Sequence, residues 1–240
     1  MQKTIIPKML GDGLLSLLFP TPCAACGRYI KDFKYLYVCP DCYKSIRLLD
    51  GVVCKTCMKP MNADFMTECS ECAEGKRHFV HVSAAGVYSG ALKELIHLTK
   101  FYERKKIAKL LADFIFENVM DTAIKWADVI VPVPLSKGSL SERGYNQTAL
   151  VALELSKRTG VQYLDAVKKV RETEPQNKLE RKDRLKNLKD AFKAELPVNG
   201  KKVLVVDDVY TTGATMNEMA KTLLAAGAKE VRGIVVARSV

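Results

Sequence analysis

The sequence predicts an α/β protein, a parallel sheet covered by helices on both faces, with a small cysteine-rich module in front of it. Two observations predict it. From Val82 onward, short apolar runs rich in β-branched residues alternate with stretches of helical period. Before that point, all eight cysteines of the 240-residue chain fall into four Cys-x-x-Cys pairs. A hydrophobic share of 48% and a charged share of 27% suit a globular domain with a sizeable core, which excludes a disordered or fibrous chain. The apolar stretch LLSLLF, Leu14 to Phe19, is too short to cross a bilayer. Cys23 follows Pro-Thr-Pro rather than the small residues of a lipoprotein cleavage site. The expectation is a cytoplasmic protein with no transmembrane segment. The apolar N-terminal stretch reads as a docking helix, and peripheral contact with the inner face of the membrane is the alternative location.

The cysteine pairs are CAAC (Cys23, Cys26), CPDC (Cys39, Cys42), CKTC (Cys54, Cys57) and CSEC (Cys69, Cys72), with 12 residues between the first two pairs and 11 between the last two. Two residues between thiols let both sulfurs of a tight knuckle reach one tetrahedral ion, and a dozen more return the chain with a second pair. This spacing points to two structural zinc ions. One would be held by Cys23, Cys26, Cys39 and Cys42, the other by Cys54, Cys57, Cys69 and Cys72. An interleaved cross-brace remains the alternative pairing. Redox-active dithiols are the weaker reading, because four pairs exceed what thiol exchange needs. CPDCYKSI also reads as a helix start, whose amides favour thiolates. The module, with the apolar N-terminal helix, is assigned to residues 1–80 and the α/β domain to 81–240.

Along that domain, VSAAGVY reads as extended, and ALKELIHLT and IAKLLADFIFENVM as helices. ADVIVPVPL is a buried strand ending at prolines, and NQTALVALELSKRTG a helix stopped by Gly160. VLVV is a second buried strand, TMNEMAKTLLAAGA a helix ending at Gly227, and VRGIVVARSV the last strand. In parallel sheets of this kind ligands bind beyond the carboxyl ends of the strands, at the point where the strand order reverses. VPVPLSKGS and DDVYTTGAT both belong at that edge.

The second of these carries the sharper chemistry. Asp207 and Asp208 follow the strand VLVV, where paired carboxylates can accept hydrogen bonds from vicinal sugar hydroxyls. Thr211, Thr212, Gly213, Ala214 and Thr215 then turn into a helix. Amides at its start, with the hydroxyls of Thr212 and Thr215, can surround a phosphate, and Gly213 allows close approach. Acids for a ribose and amides for its 5′-phosphate, one turn apart, make a ribose 5-phosphate the expected ligand. A plain strand-to-helix connection would need no consecutive acids.

Charge adds a second function class. The formal net charge is +11, and two four-thiolate zinc centres would lower it to about +7. The excess gathers in KFYERKKIAK from Lys100 and in a longer run over 168–193, which lies in a polar gap between strand-like segments and reads as a flexible loop. Tyr102 and Tyr145 near these runs offer stacking faces to single-stranded nucleic acid.

VLVVDDVYTTGAT resembles the signature with which type I phosphoribosyltransferases bind 5-phosphoribosyl 1-diphosphate (PRPP) with Mg²⁺. The wider pattern resembles one branch of that fold, the ComF family of competence proteins. The cysteine pairs, LKELIHLTKF, VPVPLSKGSLSERGYNQ, PQNKLERKDRLKN and VLVVDDVYTTGAT carry that resemblance over nearly the whole chain. It implies that Asp207 and Asp208 hold the ribose hydroxyls and Thr211 to Thr215 the 5′-phosphate. Leu135, Ser136, Lys137, Gly138 and Ser139 would form the diphosphate loop. Residues 168–193 would be the basic hood of the fold, with Lys178, Arg181, Lys182 and Arg184 as its cations, and Arg143, Asn146 and Gln147 would shape the site beneath. Several purine-salvage members of the fold have an Asp where this chain has Thr211, which disfavours a purine acceptor. His97, His78 and His81 are read as helix-face or surface residues rather than bases.

The family acts in natural transformation, where imported single-stranded DNA enters the cytoplasm, and some members work with a helicase. The resemblance therefore implies a competence protein for DNA uptake that retains a PRPP-type site and contacts single-stranded DNA or a helicase. An active Mg²⁺-dependent phosphoribosyltransferase with an unknown acceptor is the alternative, and a PRPP-sensing regulator the third reading.

Overall fold

A computed structural model describes residues 22–30, 37–62, 65–75, 77–99, 104–119, 124–172 and 187–240. The apolar N-terminal stretch, Tyr102 and the hood residues Lys178, Arg181, Lys182 and Arg184 lie outside the described residues. Five strands form one parallel sheet: β1 (Val82–Val87), β2 (Val129–Pro132), β3 (Gln162–Tyr163), β6 (Lys202–Tyr210) and β7 (Glu230–Arg238), in the order β1-β7-β6-β2-β3. The strands are Val- and Ile-rich and nearly continuous in burial, as expected where both faces are covered. One layer holds α3 (Gly90–Leu98), α4 (Arg104–Asn118) and α6 (Gln147–Thr159), and packs on Leu204 and Val206 of β6. The other holds α7 (Ala214–Ala225), which packs on Val203 and Val205. Successive residues of one strand thus feed two different cores.

The chain passes from β2 outward to β3 but returns on the opposite side of β2 for β6 and β7. The order therefore reverses between β2 and β6, and the crevice lies between the loops that leave those two strands. β6 runs on through Asp207 and Asp208 to Tyr210, farther than its apolar run alone suggests. Its pairing with β7 continues to Tyr210 opposite Arg238, so the ladder holds the polar residues extended.

A helix and a strand pair escape the hydrophobic pattern. α5 (Lys137–Arg143) occupies most of the stretch expected to be a loop, capped by the Ser136 hydroxyl accepting from the Ser139 amide at 3.3 Å. β4 (Val167–Lys169) and β5 (Phe192–Ala194) pair antiparallel as a hairpin at the two ends of the basic run.

The cysteine module covers the open edge of the sheet. The β1 amides of Val82 and Val87 donate to the carbonyls of Thr56, in the CKTC knuckle, at 2.9 Å and Arg47, between the two cysteine groups, at 2.8 Å, so the module satisfies the edge strand. Gly86 permits this approach, since a Cβ there would come within 3.1 Å of the Arg47 carbonyl and 2.9 Å of Leu92.

Candidate functional site

Each group of four cysteines converges. In Cys23, Cys26, Cys39 and Cys42, and again in Cys54, Cys57, Cys69 and Cys72, the four sulfurs lie within 4.8 Å of one another, which decides for sequential pairing over a cross-brace. Cys26 and Cys39 are 3.8 Å apart, as are Cys57 and Cys69, with all eight thiols free. A tetrahedron with zinc–sulfur bonds of about 2.3 Å has edges of about 3.8 Å. The amides of Cys39 and Cys69, at the starts of α1 (Pro40–Lys44) and α2 (Ser70–Glu74), donate to the sulfurs of Cys23 and Cys54 at 3.3 Å. The Arg28 guanidinium beside Cys26 holds that thiol down at about 6. Burial, reinforced by the neighbouring thiols, pushes Cys42 up to about 12 and Cys72 higher still, so four thiolates coexist only around a cation. The donor set fits zinc.

The second site is a cleft of about 800 Å³ at the carboxyl end of the sheet. Leu135, Ser136 and Ser139 line one side, Asp207, Asp208, Thr211 and Thr215 the floor, and Tyr88 and His97 the far wall. Asp207 accepts from the Asp208 amide at 2.9 Å. Burial, then the neighbouring Asp208 carboxylate, pushes Asp207 well above the ordinary carboxylate range. Asp208 accepts from the Val209 amide at 2.7 Å and from Gln147 Nε2 at 3.2 Å, and Gln147 in turn accepts from Arg143 at 3.2 Å. That relay ties the start of α6 to the acids. Asn146 anchors the same helix start by donating to the Val133 carbonyl at 2.9 Å. α7 begins at Gly213 (φ 79°), which has no side chain to cap the helix, and the Thr212 hydroxyl accepts only the Ala214 amide, at 3.4 Å.

The base of the hairpin reaches over the cleft. Lys169 lines it, and Glu172 accepts from the Gly138 amide at 2.8 Å. The Ser136 hydroxyl and that amide hold the Glu172 carboxyl below its ordinary range. On the far wall, Tyr88 Oη and His97 Nε2 are 2.9 Å apart.

A family model described as phosphoribosyl transferase domain matches residues 97–239, and one described as double zinc ribbon domain matches residues 14–73. The chain is 34% identical over 200 residues to DNA utilization protein YhgH of Escherichia coli (strain K12), covering 81% of this chain and 87% of that protein. It is 31% identical over 218 residues to Competence protein F of Haemophilus influenzae, covering 88% and 87% of the two chains. This chain belongs to the ComF family. A third member, Competence protein ComFC of Streptococcus pneumoniae, is 31% identical over 198 residues, covering 81% of this chain and 84% of that one.

The residues that the ComF resemblance singles out fall into three groups. Leu135, Ser136, Ser139, Arg143, Asp207, Asp208, Thr211 and Thr215 share the cleft. Thr212 is buried, its hydroxyl accepting from the Ala214 amide at 3.4 Å, while Gly213 and Ala214 contribute backbone at the start of α7. Lys137 and Gly138 are exposed on the first turn of α5, and Lys137 is not among the cleft residues. His78 bonds Asn217, and His81 bonds the Lys55 carbonyl, both outside the cleft. His97 differs from its reading as a plain helix-face residue. The helix face that carries it also lines the cleft, and a Tyr nine residues upstream gave no sequence signal for the pair. Lys169 and Glu172 were legible only as members of a basic run. Among the described residues no helix is long and apolar enough to cross a membrane.

Proposed function

We propose that the cleft binds PRPP or a related ribose 5-phosphate together with Mg²⁺, and that the chain is a competence protein acting in DNA uptake. The observation that carries the first part is the conjunction of Asp207 and Asp208 with the start of α7 on one cleft floor, facing the α5 turn. The ribose hydroxyls donate to the two carboxylates, and the 5′-phosphate accepts from amides of the 211–215 turn. The ligand's diphosphate takes the Gly138 amide, displacing the Glu172 carboxylate that occupies it. Mg²⁺ bound with the ligand would neutralise diphosphate charge, and the half-buried Asp207 and Asp208 are oxygen donors that would suit such a hard cation. The competence role is supported by the relatives named for DNA utilization and competence. Contact with single-stranded DNA through Lys178, Arg181, Lys182 and Arg184 belongs to this reading, as does a helicase partner.

The Tyr88–His97 pair favours a second reading, an active phosphoribosyltransferase. A nitrogen nucleophile that adds to the ribose carbon as diphosphate leaves must give up a proton, and an imidazole at the ribose can take it.

Titration calorimetry with PRPP and Mg²⁺ tests the ligand, with Asp207→Ala, Asp208→Ala as the control that should bind far more weakly while remaining folded. Equal binding by the double variant would remove the ribose role. A turnover assay across amine and nucleobase acceptors separates the two readings. Fluorescence anisotropy with a labelled oligonucleotide should show binding that weakens with salt, with a log-log slope of about −0.7 per phosphate neutralised. Absence of binding at low salt would discard direct DNA contact.

A further inference from the structure

The last register pair of β6 and β7 is Tyr210 opposite Arg238. Both are buried, 4% and 3% exposed, and the Arg238 guanidinium stacks over the Tyr210 ring at 4.7 Å. Phe79 meets the same ring edge-on at 6.4 Å, and Arg77 lies 5.9 Å from the Phe79 ring. Arg238 Nε and Nη1, Arg77 Nε and Tyr210 Oη are all buried without a hydrogen-bond partner among the described residues. Neither arginine forms an ion pair with a described carboxylate. A buried guanidinium without a counter-charge is costly, so its compensation must lie nearby.

The neighbouring negative group is the second cysteine centre, which shares one core with Phe79 and Tyr210. Val82 of the same core donates its amide to the carbonyl of Thr56, between Cys54 and Cys57, at 2.9 Å, which fastens that centre to the sheet beside Phe79 and Tyr210. Four thiolates around Zn²⁺ carry a net charge of −2, against which the buried Arg238 is a partial counter-charge. On its other side Tyr210 supports the turn 211–215. A Cβ on Gly213 would lie 2.1 Å from Tyr210 Oη, so the phenol fills the space beneath that glycine, where the backbone is left-handed and α7 begins.

We infer that metal in the Cys54, Cys57, Cys69 and Cys72 centre is coupled through Arg238 and Tyr210 to the turn 211–215, so that this metal and a ribose 5-phosphate in the cleft stabilise each other. Arg238 and Tyr210 are positioning residues in this scheme, and the Cys23 centre takes no part. The inference rests on the cleft being a ribose 5-phosphate site. Without the ion, Arg238 keeps its charge but loses its compensation. Any movement it makes toward water disturbs the ring stacked on it and removes the support from under Gly213. Linkage makes the effect reciprocal, and couplings of this kind typically amount to 5–150-fold in affinity.

The test uses the full chain loaded with two zinc ions, and follows zinc release to a colorimetric chelator with and without saturating ribose 5-phosphate, binding of which is established separately by calorimetry. One zinc should leave at an unchanged rate and the other about tenfold more slowly with the sugar phosphate. Cys26→Ser, which disables the first centre, should retain the protected zinc. Arg238→Met should abolish the protection and hasten release of that zinc, and Arg238→Lys, which keeps the charge, should restore part of it. Tyr210→Phe removes the hydroxyl nearest Gly213 but keeps the ring stacked on Arg238, so it should keep part of the protection, whereas Tyr210→Leu should lose it. If ribose 5-phosphate binds but both zinc ions leave at ligand-independent rates, the coupling is wrong and the reading of the cleft stands. If ribose 5-phosphate does not bind the wild type, both fall. The ligand-protection comparison needs no variant, so a misfolded Arg238→Met cannot rescue the idea.

Discussion

The two cysteine centres have nearly the same spacing and nearly the same local geometry, yet they are different objects. Cys23 and Cys39 of the first pack with α3 and α4 on one face of the sheet, while all four cysteines of the second pack with α7 on the other. The first leaves Cys26 exposed, and its cation is the solvent-facing Arg28, paired with Asp41 at 3.0 Å. The second is entirely buried, and the buried Arg238 stacks on Tyr210 of the same core. Identical ligands thus serve two purposes. One centre fastens a knuckle to a helix layer, where Tyr43 meets Phe114 edge-on at 5.9 Å. The other is part of the core beneath the turn 211–215.

The largest test of that contrast is to remove one centre at a time. Structural zinc contributes roughly 10 kcal/mol or more per site in small peptides. Cys72→Ser should therefore lower thermal stability severely and abolish ligand binding, while Cys26→Ser should lose one zinc and leave ligand binding near wild type. Elemental analysis with calorimetry on both variants reads the difference. Similar losses of ligand affinity from the two would erase the distinction.

A smaller, local break lies at Gly213. Alanine there adds a left-handed backbone cost of about 1–2 kcal/mol and drives its Cβ into Tyr210. Gly213→Ala should weaken PRPP binding by tenfold or more with both zinc ions retained, as judged by calorimetry and metal content. Retained affinity would mean that the turn does not depend on the Tyr210 support.

Asp207 gives a pH-dependent test on the cleft floor. Its folded pKa is raised by burial and by Asp208, so the ionised form is disfavoured in the fold. The wild type should lose stability as pH rises above the ordinary carboxylate value of about 3.9, until Asp207 itself ionises. Asp207→Asn should then melt higher than wild type at neutral pH, converge with it on acidification, and bind PRPP poorly. A lower melting temperature at neutral pH would contradict the assigned environment. The smallest effect belongs to Glu172→Gln, which removes a competing anion from the Gly138 amide and should tighten PRPP binding a few-fold. Unchanged or weaker binding would show that Glu172 and the diphosphate do not share that donor.

The sequence by itself determined what depends on neighbours along the chain. Cys-x-x-Cys spacing makes the knuckles, β-branched runs make the strands, Gly160 ends α6 in a left-handed conformation, and Asp207 and Asp208 stand beside a turn into a helix. These are short-range matters of backbone geometry and periodicity. What only the tertiary structure decided depends on partners far apart in sequence. Two groups of four cysteines close on themselves rather than cross, and then settle on opposite faces of one sheet. Ser136 caps a helix that a Gly and two flanking prolines concealed, and the hairpin pairs strands on either side of a basic run. Glu172 meets Gly138, and Arg238, the last residue of β7, is buried next to Tyr210. Pattern cannot supply such contacts. An exposed glutamate and a latched one, or a surface arginine and one set against a metal centre, have the same neighbours in sequence, and only the packing of the sheet's two faces makes them differ.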